Sequence, residues 1–127
     1  MGAWGHLFDE NDDAADWLAD FEDSPNWATV DEALAVTQAN YIEAPNASNA
    51  LAAAEVVAAG LGKASSRLEA GITEWASAHS TDAASRRVQA VAALTAIRDN
   101  SELQELWQEA EEYADWQTSV NETLSRL

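Results

Sequence analysis

A chain of 127 residues fits one domain, long enough to bury roughly two thirds of the surface that its unfolded form exposes. It carries 23 Asp and Glu against six Lys and Arg, a formal net charge of −17, and no cysteine. Disulfides, thiolate catalysis and cysteine-based zinc sites are therefore excluded, and direct binding to a phosphate backbone or an anionic membrane surface lacks the cations it needs.

The charge is unevenly spread. Residues 1–62 hold twelve acids and no Lys or Arg. Twenty-eight alanines make up much of the apolar content, whereas six tryptophans supply bulk. Alanine is the best helix former and lets helices approach closely, so the tryptophans are expected to fill the gaps between them. No basic segment precedes an apolar leader, and the apolar stretch at 50–62 is too short to span a bilayer and is interrupted by Glu55. The chain reads as a soluble cytoplasmic protein, monomeric or weakly dimeric.

In chain order, residues 1–8 form an arm in which Gly2 and Gly5 bracket Trp4, packing it against the bundle. A first helix starts near Asp9 or Asn11, either of which can cap it, and runs to about Asp23. Steps of 100° place Ala14, Trp17, Leu18 and Phe21 on one arc and Asp9, Asp12, Asp13, Asp16, Asp20 and Asp23 on another. Pro25 ends it. A second helix covers about 27–40, with a capping box at Thr29–Glu32; Trp27, Val30, Leu34 and Thr37 face inward. Pro45 marks a loop at 43–46. The third helix, from about Ala47 to Ala59, is apolar on most sides and belongs at the centre, ending at Gly60-Leu61-Gly62.

A second capping box, Ser66–Glu69, opens a helix that runs through Ile72 and Trp75 to about Ala78. Ser80-Thr81-Asp82 caps a fifth, which directs Val88, Val91, Ala92 and Thr95 inward and reaches Asn100. Ser101 starts the last and longest, with Leu103, Leu106, Trp107, Ala110, Tyr113, Val120 and Leu124 on its inner face. No segment alternates with the period of a strand. The expectation is an all-α, compact single-domain bundle of about six helices over residues 1–127, with the N-terminal arm packed on it.

Several pieces together resemble a small bacterial family, domain of unknown function 4259. They are Gly2-Ala3-Trp4-Gly5, Asn11-Asp12-Asp13-Ala14, Asp16-Trp17-Leu18, the alanine-rich run Ala50–Ala58, and Ser101-Glu102-Leu103 with Leu106-Trp107. The pattern departs at His6-Leu7, where the family would place a glycine. The resemblance implies a compact helical protein in which Gly2, Trp4, Gly5, Asn11 and Trp17 are structural, and it supplies no catalytic residue.

The sharpest functional candidate is the acidic face of the first helix. Like-charge pairs one turn apart cost about 0.2–0.5 kcal/mol each, offset in part where Asp12 and Asp13 meet the positive helix start. Asp9, Asp12, Asp13, Asp16 and Asp20 read either as a solvated face whose repulsion water makes tolerable or as a docking face for a basic protein. Trp116, at the edge of the last helix's apolar arc, reads as a half-exposed aromatic contact. Glu55, set among alanines and valines, needs a partner or a shifted pKa. His6 is placed to approach Asp12 or Asp13.

The leading function is a non-enzymatic, immunity-like or antitoxin-like protein-binding module without cofactor, metal ligand or catalytic set. The alternative is a divalent-metal phosphohydrolase drawing on Asp12, Asp16, Glu55 and the later glutamates Glu105, Glu109 and Glu112. A third option is that the acidity only solvates the surface and that function resides in a small apolar groove.

Overall fold

The computed structural model describes residues 5–127; Gly2, Ala3 and Trp4, and with them half of the glycine-framed arm, lie outside the described residues. Eight α-helices and one 3-10 turn follow one another, with no strand among the described residues. They are α1 (Asp12–Asp23), α2 (Trp27–Leu34), the 3-10 turn Ala35–Gln38, α3 (Ala44–Gly60), α4 (Ala70–Ser77), α5 (Ser80–Ala84), α6 (Arg87–Asp99), α7 (Glu102–Glu109) and α8 (Tyr113–Ser125). The all-α reading holds.

The third helix is the axis of the fold. Every residue from Ala50 to Gly60 is buried, and α3 contacts each of the other helices as well as the 3-10 turn. Small side chains make this close approach possible. At Gly60 an added Cβ would stand 2.3 Å from Ala83 Cβ and 3.2 Å from the Ala76 carbonyl oxygen, so the end of α3 presses against α4 and α5. The helix closes in a Schellman turn: Lys63 N donates to Ala58 O at 2.9 Å and Gly62 N to Ala59 O at 3.0 Å, with Gly62 at φ +83.

Aromatic side chains fill the seams between alanine-rich helices. Trp17 stacks on Phe21 at 5.1 Å, Phe21 meets Trp75 edge-on at 5.5 Å, and Trp75 lies 4.9 Å from Trp27. Arg86 sits 4.9 Å over the Trp27 ring and pairs with Asp31 at 2.7 and 3.0 Å, a cation–π contact backed by a bidentate ion pair.

Helix α1 starts where the sequence places it. Asn11 Oδ1 accepts from Ala14 N at 2.8 Å, and Ala14 and Phe21 are buried with Trp17 and Leu18 partly so. Ser101 likewise caps α7, its Oγ accepting from Gln104 N at 3.0 Å.

Other boundaries move. The cap of α2 is Asn26, whose Oδ1 accepts from Thr29 N at 2.8 Å, so Thr29 lies inside the helix and its capping box with Glu32 does not form. The helix tightens into the 3-10 turn after Leu34, which leaves Thr37 exposed. Pro45 lies in the first turn of α3 rather than in a loop. That start is secured from far away: Ala44 N donates to Glu102 Oε1 at 2.7 Å, and Glu102 N donates to Ile42 O at 2.9 Å. Ser66 caps nothing, because the 64–69 segment stays a loop that buries Leu68 and sends Arg67 to Asp9.

The two long C-terminal helices are each divided. Between α5 and α6, Ser85 Oγ and Arg86 both donate to the Asp82 carbonyl, at 2.7 and 2.9 Å. Side chains thereby occupy an acceptor at the point where the helix breaks. The break turns α6 so that Ala90, Ala93, Leu94 and Ile97 face inward, whereas Val88, expected inside, is 80% exposed and Ala92 is exposed. Between α7 and α8, Glu111 takes a left-handed φ of 61, and Glu112 N donates to Trp107 O. This second Schellman turn leaves Ala110 exposed and brings Trp116, Val120 and Thr123 inward on α8.

Candidate functional site

The acidic surface of α1 is built by helix periodicity. Asp12, Asp13, Asp16, Asp20 and Asp23 are all exposed, and none makes a hydrogen bond or ion pair through its side chain with another described residue. Asp9 is different. It precedes the helix and accepts from Arg67 Nε at 2.8 Å, so it ties the arm to the 64–69 loop and does not belong to the free face.

The arginines explain why that face stays uncompensated. Arg67 pairs with Asp9, Arg86 with Asp31, Arg98 with Asp99, and Arg126 with Glu55 and Glu122; Arg87 donates to the Leu127 backbone oxygen. Each of the five arginines is engaged in contacts within the fold. Only five of the 23 acids find an arginine partner among the described residues.

Glu55 is fully buried in α3 and is part of the structural frame. Its Oε1 accepts from Arg126 Nη2 at 2.7 Å and Thr123 Oγ1 at 2.8 Å, and its Oε2 accepts from Arg126 Nη1 at 2.8 Å. Arg126 also donates to Glu122 at 2.7 and 2.8 Å and to the Lys63 carbonyl at 3.1 Å. All five guanidinium hydrogens are thus engaged, and these carboxylates hold the arginine pKa far above its ordinary value. The same contact holds the Glu122 carboxyl below its ordinary value. Sequence reading singled out Glu55 but not Arg126; the only clue was an arginine at the far end of an acid-rich chain.

The remaining candidates separate. Glu105 accepts from the Tyr41 hydroxyl at 3.0 Å. Glu109 and Glu112 lie on either side of the α7–α8 turn. Asp12 and Asp16 belong to one helix and share no ion-binding centre with Glu55, Glu105 or Glu109 among the described residues. One group does converge: His6, Glu112 and Asp115 bring ligand atoms within 4.8 Å of one another. His6 therefore approaches Glu112, at 3.1 Å, and not Asp12 or Asp13, while its ring lies 4.9 Å from Trp107. The cluster is open to solvent and ties the arm to the α7–α8 turn. It provides the ligand types of a divalent-cation site on an exposed surface.

Trp116 corrects an expectation. It is 2% exposed and packs 5.9 Å from Tyr113, because the break before α8 rotates it into the core. It offers no surface for a partner.

A family model described as "Domain of unknown function (DUF4259)" matches residues 2–119. The chain belongs to the DUF4259 family. No curated protein and no solved structure matches it. Within this DUF4259 chain Asn11 caps α1, Ala50–Ala58 form the buried axis, and Ser101 caps α7 above buried Leu103 and Trp107. Gly5 is partly buried beside Glu10, and Trp17 is partly buried in the aromatic seam.

No helix is long and apolar enough to cross a membrane among the described residues.

Proposed function

We propose that this protein is a non-enzymatic binding module of the bacterial cytoplasm, monomeric or weakly dimeric, that docks a basic protein in the manner of an immunity or antitoxin partner. The observation that supports it is the unpaired carboxylate row Asp12, Asp13, Asp16 and Asp20 on α1, in a molecule whose arginines all serve internal contacts. A surface of one sign raises the encounter rate with a partner of the other and weakens with salt. Holding such a row unpaired costs a few tenths of a kcal/mol per neighbouring pair, and a cationic partner would recover that cost.

Affinity capture from native lysate tests the reading. A basic protein should be retained at low salt, released at high salt, and lost when Asp12, Asp16 and Asp20 are changed together to Asn. Capture of nothing at low salt, or capture indifferent to those three changes, defeats it. The phosphohydrolase alternative would require Mg²⁺ or Mn²⁺ to raise the melting temperature and support nucleotide turnover; Glu55 is held by Arg126 and Glu105 by Tyr41, and among the described residues only Glu112 of its carboxylates joins a cluster of cation-ligand types, the exposed one with His6 and Asp115.

A further inference from the structure

A cavity of about 400 Å³ opens between α1, α2, the 3-10 turn and the first turns of α3. That volume lies within the range of small-ligand sites. Its apolar wall includes Trp17, Val36 and Ile42, and its polar groups include Glu32, Asn46 and Asn49. No Lys, Arg or His lines it. Asn49 Oδ1 is shielded from solvent and has no hydrogen-bond donor among the described residues, a condition that is costly for a buried acceptor. The Thr29 hydroxyl, at the same edge, already donates to Asn26 Oδ1 at 2.9 Å.

The lining therefore combines one carboxylate, two amides and an indole, without any cation. The complementary group is rich in N–H donors, positively charged and tolerant of partial desolvation beside an aromatic ring. A guanidinium meets each requirement: five donors and no acceptor, a delocalised charge weakly held by water, and a flat face that stacks on indole. An ammonium is compact and more strongly hydrated, which suits an apolar, half-enclosed wall less well.

We infer that this groove is a binding site for a guanidinium group, with an arginine side chain of a partner polypeptide as its occupant. Glu32 supplies the charge, Asn49 the buried acceptor and Trp17 the stacking surface. The groove is separate from the aspartate face of α1, and the assignment stands whether or not that face docks a partner.

The test is a nuclear magnetic resonance titration of the whole chain with N-acetyl-arginine amide, followed at the side-chain amides of Asn46 and Asn49. N-acetyl-citrulline amide, the uncharged isostere, and N-acetyl-lysine amide serve as comparisons. The arginine amide should saturate in the millimolar range, and both comparisons should bind roughly tenfold more weakly or worse. Glu32→Gln and Asn49→Ala should each weaken the arginine amide several-fold, whereas Glu109→Gln, which removes an equal charge away from the groove, should leave it unchanged. Thermal melts of each variant establish that it is folded, and Glu32→Gln carries the test if Asn49→Ala unfolds. Equal binding of arginine and citrulline amides, equal binding of the lysine amide, absence of saturation, or equal weakening by Glu32→Gln and Glu109→Gln would each overturn the inference.

Discussion

Glu55 and Arg126 show how a single residue's meaning depends on its partner. A carboxylate with no exposed surface is tolerable only when its oxygens are bonded and its charge is opposed. Removing Arg126 leaves that charge buried and unopposed, so Arg126→Ala should lose about 3–5 kcal/mol in urea unfolding. Replacing both partners, Glu55→Leu with Arg126→Met, should recover most of the loss. A double variant as unstable as Arg126→Ala would show that the pair does more than cancel its own burial cost. Glu111 is a smaller matter of the same kind. Its φ of 61 is a conformation that side chains disfavour and glycine accepts, so Glu111→Gly should stabilise by about 0.5–1 kcal/mol, read as a rise in melting temperature. Tyr41 makes a spectroscopic test. Partial desolvation and the hydrogen bond to Glu105 push its hydroxyl up to about 12. At 47% exposure the hydrogen bond is the better lever. The neutral form is the one that the fold favours, so this contribution is complete below about pH 10 and disappears as pH rises through about 12. Ultraviolet titration should show the late tyrosinate step move to lower pH in Glu105→Gln.

Among the elements, α3 decides the architecture, and at Gly60 its packing leaves no room for a side chain. Intrinsic propensity favours Ala over Gly within a helix by about 1 kcal/mol. The closeness of Ala83 Cβ and the Ala76 carbonyl works against this, and overpacking costs about 1–3 kcal/mol. Gly60→Ala should therefore destabilise in a thermal melt, and adding Ala83→Gly should restore part of the loss; a stabilised Gly60→Ala would mean that α4 and α5 yield freely. The same element shows why boundaries resist local reading. Asn11, Asn26 and Ser101 cap their own helices over three residues, and two of the three were legible as caps. The start of α3 is capped by Glu102 from 58 residues away, which no local window contains. The face of α6 was misjudged because the helix was carried through Arg86 unbroken; Leu94 and Ile97, both present in the sequence, mark its true inner side.

Over the whole molecule, net charge dominates. With arginine drawn inward and most acids unpaired on the surface, self-repulsion opposes the compact state. Raising NaCl from about 10 mM to about 1 M shortens the screening length from roughly 30 Å to 3 Å and should raise the melting temperature by a few degrees. A fall would mean that the ion pairs of Arg67, Arg98 and Arg126 outweigh the repulsion. The same screening should weaken partner capture through α1, so stability and binding are expected to respond to salt in opposite directions.

The sequence by itself determined the helical class, the start and faces of α1, the central place of α3 and the acidity of the surface. These follow from propensity, short-range capping and the 3.6-residue period, all of which act within a few turns of one chain segment. Only the tertiary structure decided the two helix breaks, the burial of Trp116, the meeting of His6 with Glu112, the hold of Arg126 on Glu55 and the groove beside Asn49. Each of those depends on groups that are distant along the chain and whose interaction energy exists only once the fold has brought them together.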